Sequence, residues 1–514
     1  MAIRKSSNSG IPFGNTEARP ASPSLGQPYF NGQIGRLELY SSNGWQNIVQ
    51  ETPGVSSATG TYNQSAGSGT FTISGTNFVD GAIAYAVGTN GTEYQATTTT
   101  YNSLVQLTVV FSNLSPEYEP YDIKVVNPSN LFGLLPDAFS INDSPVWSTT
   151  AGSLGTYTGS SIQLAATDDE SNTITYSVTS GALPSGLSLS SAGLISGTAT
   201  ANAGTYTFTV SASDGINTAV TRSFSVVVPV IVTGGTITVS GDYRIHTFTS
   251  SGTFGTNASS LTADYLVVAG GGGGGTTYGG GGGAGGLRST VTATGRAGTL
   301  ESPLTLSANN YTVTVGGGGA TGLGGYNATN SPGINGNNSV FSTITALGGG
   351  GGGGGAGNAK SGGSGGGGQD GVTPGSGTTA QGFDGGGSVT GGVWGAGGGG
   401  GAGSVGVSGN SGAGGNGGAG VAVAISGSST TYAGGGGGGT YQGGTVGNGG
   451  SGGGGNAAAS GVGNASSLGS SGTSNTGGGG GGGSALQGSL YSGVGGSGGS
   501  GIVIVRYLKS VVGL

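Results

Sequence analysis

The 514-residue chain has no cysteine, a single histidine and a single methionine, and charged residues make up only 6% of it. Without cysteine there is no disulfide framework, no thiolate nucleophile and no Cys-based metal site. With His246 alone, His-based zinc sites and the usual catalytic triads are excluded. Lys and Arg number 12 against 19 Asp and Glu, a formal net charge of −7. No basic face is available for counterion release to drive binding, so nucleic acid is not an expected partner. The same scarcity of charge argues against an intrinsically disordered chain. No run of 18 apolar residues occurs, so membrane insertion is not expected. The opening MAIRKSSNSGIPFG lacks the apolar stretch of an export signal. The expectation is a soluble protein made in a cytoplasm. What is plentiful is glycine, at 127 residues, 95 of them between positions 271 and 500. The rest is rich in Ser, Thr, Asn, Val and Tyr and poor in Lys, Glu and Leu, which predicts an all-β chain of strands and turns.

Four segments follow from the pattern. Residues 1–50 are broken by Pro12, Pro20, Pro23 and Pro28 until 36–40 and 45–49 alternate around the turn Ser42-Asn43-Gly44, which predicts a β-hairpin. Phe30, Tyr40 and Trp45 are its expected aromatic plug. The wording Arg19-Pro20, Pro23, Gly26-Gln27, Phe30-Asn31, Gly35, Leu37-Glu38, Tyr40 and Gly44-Trp45 resembles short segments of tailed-phage fibre and virion proteins. That resemblance implies a virion-attachment segment, with Phe30, Leu37, Tyr40 and Trp45 as its contact residues.

Residues 51–143 alternate in short runs, at 70–74, 82–87, 104–111 and 121–126, as an antiparallel sandwich does. Ser74-Gly75-Thr76-Asn77-Phe78 and 121–128 resemble the IPT/TIG module, some members of which bind DNA. Here the only cation between Arg36 and Arg222 is Lys124, too few for phosphate contacts. Residues 144–230 alternate at 174–178, 206–210 and 221–227, and carry Leu183-Pro184-Ser185-Gly186-Leu187, Gly193-Leu194-Ile195-Ser196-Gly197-Thr198 and Ala212-Ser213-Asp214-Gly215. They resemble the Ig-like domains of bacterial surface and phage proteins, a second sandwich. Asp168, Asp169 and Glu170, with Asp214, are the one concentration of carboxylates. Calcium at a loop is one reading, a solvated turn the other.

Residues 231–514 open with strands at 236–239, 243–248 and 263–269 and close with Ile502-Val503-Ile504-Val505-Arg506-Tyr507, which is expected to pair with 265–268. Between them lie glycine runs such as 270–275, 348–355, 397–401, 434–439 and 477–483. Collagen needs a strict three-residue period and abundant proline, and a flexible linker does not alternate with apolar islands such as Val421-Ala422-Val423. The expectation is a polyglycine II-type bundle of extended strands whose connecting turns carry the non-glycine side chains. Tyr278, Tyr326, Asn327, Phe383, Trp394, Tyr432, Tyr441 and Tyr491 are the candidate receptor contacts, since aromatic rings among Asn, Ser and Gly have the composition of a paratope. The opening Tyr265-Leu266-Val267-Val268-Ala269 before glycines and the closing 502–507 resemble the glycine-rich domain of phage tail-fibre and virion proteins.

Chemistry is sparse. GxGxxG matches arise by chance in so much glycine, and no GxxxxGK[ST] exists. Between 302 and 505 the only ionisable side chains besides tyrosines are Lys360, Asp370 and Asp384. The two carboxylates are a candidate glycosidase pair, but loop carboxylates without shielding apolar neighbours lack the raised pKa that such a pair needs, and no enzyme is expected. The resemblances imply a structural virion protein of a tailed, cyanophage-like bacteriophage, a fibre or fibre-tip adhesin assembled in the host cytoplasm. Its partners would be other virion proteins through 1–50 and a host surface glycan or protein through the glycine-rich tip, and fibres of this kind are commonly homotrimers. A capsid-decorating head fibre and a cellular surface adhesin are the alternatives. No cofactor besides calcium is implied.

Overall fold

The computed structural model describes residues 4–5, 12–33, 36–47, 51–322, 331–355, 357–389, 394–459, 468–486 and 493–513. They contain strands and four short 3-10 turns and no α-helix, so the chain is all-β. It divides into two compact units, the first taking most of residues 1–226 and the second all of 227–514 with 156–158 and 200–205.

In the first unit the strands Arg4–Lys5, Pro12–Gly14, Pro28–Asn31, Arg36–Ser41 and Gly44–Asn47 form one sheet in that order. The hairpin is therefore only its last two strands. Pro12 and Pro28 each sit at the first position of a strand, where a missing N–H costs no ladder bond. Beyond it, Thr98–Ser103, Gln106–Ser112, Ser68–Thr76, Gly54–Asn63 and Ile141–Asn142 form one sheet. Phe132–Phe139, Tyr121–Val126, Ile83–Val87 and Glu93–Gln95 form another. Alternate residues Phe71, Ile73, Leu107, Val109, Phe111, Tyr121, Ile123 and Val125 meet in one core. The Tyr121 hydroxyl donates to Ser115 O at 2.8 Å, which fixes the chain corner before its strand. In the next segment Trp147 packs against Tyr176 and Phe224 at 5.6 and 5.4 Å.

In the second unit the final strand Ile502–Leu508 lies between Tyr243–Phe248 and Leu261–Val268, with Val268 opposite Ile502 and Leu266 opposite Ile504. The continuous apolar run at 265–268 is explained by burial on both faces. Tyr265 and Val267 join Phe254, Phe341, Val503 and Val505 in one core, while Leu266 and Val268 join Val421, Val423, Ile425 and Ile504 in another.

The glycine runs continue from these strands. Run 270–275 donates with a strict period of three. Gly270 and Gly273 donate to Asn337 and Ile334 at 3.0 and 2.9 Å, Gly271 and Gly274 to Gly499 and Gly496 at 2.9 Å, and Gly272 and Gly275 to Gly283 and Gly280 at 2.8 and 3.0 Å. Its carbonyls accept with the same period, from Gly349 and Gly352, from Gly319 and Gly322, and from Gly480 and Gly483. One run thus has six neighbours, each met once per turn of a three-residue helix, which is polyglycine II packing. Side chains are excluded by distance: a Cβ on Gly274 would stand 2.0 Å from Gly481 O, and one on Gly281 2.0 Å from Gly436 O.

Candidate functional site

The bundle has two ends. Run 270–275 leaves the strand Leu261–Val268, and 279–286 returns to the strand Leu287–Ser289, so the turn at 276–278 marks the end far from the sheet. At about 3.1 Å per residue, a six-residue run carries that turn about 19 Å outward. Register then places other turns. Gly439 N–H donates to Gly279 O, Ala396 N–H to Gly439 O, and Gly397 N–H to Gly368 O, so Tyr441, Trp394 and Asp370 reach the same end as Tyr278. Left-handed residues close these turns: Thr277 and Tyr278 at φ 51 and 45, Asp370 at 51 and Gln442 at 67. Here small polar side chains replace glycine and tie the turns together. Thr276, Gln369 and Thr440 are fully buried. Thr276 Oγ1 donates to Ser331 O at 3.2 Å, Thr440 N–H to Ser484 Oγ at 3.1 Å, and Gln369 Nε2 to Thr277 O at 2.8 Å.

On this floor the far-end turns gather one aromatic cluster. Tyr278 stands edge-on to Trp394 and Tyr441, with centroids 5.6 and 5.1 Å away, and Trp394 and Tyr441 lie 5.4 Å apart at 35°. All three rings are half-buried, and Asp370 beside them is exposed. Burial, then the Asp370 carboxylate and Tyr441, push the Tyr278 phenol above its ordinary range, so it stays a neutral donor. Neither phenol, nor the Trp394 indole N–H, nor the Asp370 carboxylate has a hydrogen-bond partner among the described residues. Gln369 Oε1, buried under the same turn, is also without a donor.

The model of the family described as "Glycine-rich domain" matches residues 247–508, more than half of the sequence. The chain belongs to the glycine-rich domain family. A second family, described as "Putative Ig domain", matches residues 140–229. Both are described by composition or fold, and neither by a reaction. No curated protein sequence matches the chain. Among solved structures, DIP-gamma IG1+IG2 is 13% identical over 35% of this chain and 99% of its own, with a TM-score of 0.21. Protocadherin Gamma B7 extracellular cadherin domains 1-4 are 14% identical over 45% of this chain and 68% of their own, with a TM-score of 0.19. The N-terminal eight Ig domains of Down Syndrome Cell Adhesion Molecule are 11% identical over 37% and 27%, at 0.21.

Within the glycine-rich domain the remaining expected contacts separate. Tyr432 is a core residue, 5% exposed beside Val421 and Val423 at the sheet end, because its strand must seal that core; it is not available to a receptor. Phe383 is also near the sheet end, where Arg296 lies 5.4 Å over its ring. Tyr326, Asn327 and Tyr491 lie outside the described residues. The pair Asp370 and Asp384 is not assembled: Asp384 pairs with Arg296 at 3.2 Å and accepts from Gly377 N–H at 2.8 Å, while Asp370 is at the far end. A glycosidase needs its carboxyls facing one sugar. Asp370 and Gln369 are missing from the expected contacts, and the sequence signal for the first is its rarity as a charge.

In the first unit the aromatic plug is shifted by one residue. Tyr29, not Phe30, is inside, fully buried and 5.5 Å from Trp45, which also packs on Tyr40 at 5.4 Å. Phe30 is 36% exposed, because strand alternation turns adjacent residues to opposite faces. Leu37, its cross-strand partner, is half-buried. No group of three or more His, Asp or Glu among the described residues is arranged to hold a metal ion. Asp214 accepts from Ile216 and Asn217 N–H, both at 3.0 Å, Asp168 from Asn172 N–H at 2.9 Å, and Glu170 from Asp143 N–H at 3.1 Å, while Asp169 is exposed.

Proposed function

We propose that the chain is a structural virion protein of a tailed bacteriophage, a fibre or fibre-tip adhesin. Residues 1–50 attach it to other virion proteins, the Ig-like segments at 51–143 and 144–230 act as spacers, and the glycine-rich domain meets the host cell surface. The observation that carries this reading is the collection of Tyr278, Trp394 and Tyr441 on turns at one end of a bundle held by backbone bonds. A scaffold held by backbone bonds fixes those turns while their outward side chains stay available for recognition, as a recognition surface requires. Assembly as a homotrimer belongs to the same proposal.

Labelling intact particles with an antibody to residues 231–514 and locating it by electron microscopy tests the reading. Label at the tail, together with full-length chain competing with phage adsorption, is expected. Label over the head makes the chain a capsid appendage, and absence of label from every particle overturns the virion assignment.

A further inference from the structure

We infer that the far-end aromatic cluster binds an uncharged carbohydrate chain, an inference that rests on the adhesin reading above. A sugar ring has apolar C–H faces and a rim of hydroxyls. It therefore needs aromatic surface beside donors and acceptors that the protein has not already used. Tyr278, Trp394 and Tyr441 supply the surface, half-buried and packed on one another. The two phenols and the indole N–H supply donors, and Asp370 supplies a carboxylate, none engaged by another described residue. Gln369, fully buried beneath the Tyr278 turn, holds that turn in place through its Nε2 bond to Thr277 O.

Charge and size select among ligands. Between 302 and 505 only Lys360, Asp370 and Asp384 are charged, and Asp384 is neutralised by Arg296. Lys360 is on the flank, its N–H bonded to Gly351 O three residues short of the Gly354 end of that run. With Asp370 as the charge at the cluster, a phosphorylated or acidic sugar meets repulsion rather than a partner. A quaternary ammonium group needs rings standing apart around it, whereas these rings touch one another at centroid distances of 5.1–5.6 Å. A protein receptor takes about 800 Å² from each partner. Among the described residues, the three half-buried rings of about 150–250 Å² each offer at most about 400 Å². The patch fits a few sugar units, and recognition without ion pairs is insensitive to salt.

The test uses the full chain, fluorescently labelled, on cells of the strain the parent phage infects, either untreated, oxidised with periodate or digested with protease. Binding to untreated cells that periodate abolishes and protease spares is expected. Binding that protease abolishes and periodate spares overturns the carbohydrate inference and leaves the adhesin reading standing. No binding to untreated cells overturns the adhesin reading itself. Extracted surface polysaccharide, split on an anion exchanger, then competes: the neutral fraction is expected to displace the chain, and displacement by the acidic fraction alone overturns the claim of an uncharged ligand. Trp394→Ala is expected to weaken binding at least about tenfold, a loss of about 1.4 kcal/mol. Asp370→Asn, an exposed site whose change leaves folding intact, is expected to weaken it similarly while binding stays unchanged at high salt. Wild-type binding by both variants overturns the site.

Discussion

His246 shows how one side chain can set a pH limit for the glycine-rich domain. It is fully buried in the strand Tyr243–Phe248, with Nδ1 2.7 Å from Gly234 O and Nε2 3.1 Å from the Tyr507 hydroxyl. The Gly234 carbonyl can only accept, so Nδ1 carries the proton and Nε2 accepts from Tyr507, whose own pKa burial pushes up to about 12. Burial, and the nearby Arg244, hold the imidazole below its ordinary 6.5. The unfolded chain therefore binds the proton more readily, and stability is lost as pH falls from about 6.5 toward the depressed folded value. A lower melting temperature at pH 5 than at pH 7.5 is expected, with the His246 contribution to that slope absent in His246→Gln. Glycine gives a sharper case. A Cβ on Gly281 would stand 2.0 Å from Gly436 O, while one on Gly317 finds nothing nearer than Asn337 Nδ2 at 3.8 Å. Gly281→Ala is expected to cost about 1–3 kcal/mol or more by overpacking. Gly317→Ala is expected to be neutral or to gain up to about 1 kcal/mol from the unfolded state. Equal melting temperatures for the two variants would contradict the packing described.

Strands and turns act through what they bring together, and the loops of the first unit bring together carboxylates. Glu119, Asp143 and Glu170 all have raised pKa values, first by burial and then by one another and by Asp168 and Asp169. Asp143 Oδ1 and Asp168 Oδ2 are buried without donors. A raised folded pKa means that the ionised form is penalised at neutral pH. The penalty is relieved as pH falls through the folded values toward the ordinary 4.5 and 3.8. Asp214 runs the other way: hydrogen bonds from Ile216, Asn217 and Asn142 outweigh its burial and lower it, so its contribution is lost only below about 3.8. Melting of the first-unit transition is thus expected to be higher near pH 5 than at pH 7. Glu119→Gln, which keeps an acceptor for Ile141 N–H, is expected to raise it at pH 7 and flatten the profile. A fall in melting temperature in that variant would show that the charge is wanted.

At the scale of the whole molecule, the glycine bundle stands apart from the apolar cores of the sheets: its stability is a matter of backbone bonds rather than apolar area. Each net bond contributes about 0.5–1.5 kcal/mol against an ordering cost of about 1–2 kcal/mol per residue, so the runs hold only when their ends are fixed. The sheet at 261–268 and 502–508, buried on both faces, fixes them. Amide exchange is expected to be slow for Gly271, Gly274, Gly281 and Gly436, inside the bundle, and fast for exposed Gly317. Complete exchange of all of them within seconds would contradict a folded bundle.

The all-β class, the pairing of 502–507 with 265–268 and the polyglycine II character of the runs were legible in the sequence, because each is written in local periodicity or composition: alternation of two, a continuous apolar run, or the absence of Cβ. The candidate site was legible only as a set of aromatic letters. Which of them share an end depends on how many residues each run takes between turns and on the three-residue register that aligns Gly279 with Gly439 and Gly397 with Gly368. Those pairings join residues tens to more than a hundred positions apart, and no local pattern encodes them. For the same reason Tyr432 and Tyr441, nine positions apart in one segment, part company: the run between them carries one from the buried sheet end to the half-exposed tip. Tyr29 and Phe30 exchange places through a single step of strand alternation, which proline-broken sequence conceals. Composition determined the material of this protein, and long-range backbone register decided where its few side chains meet.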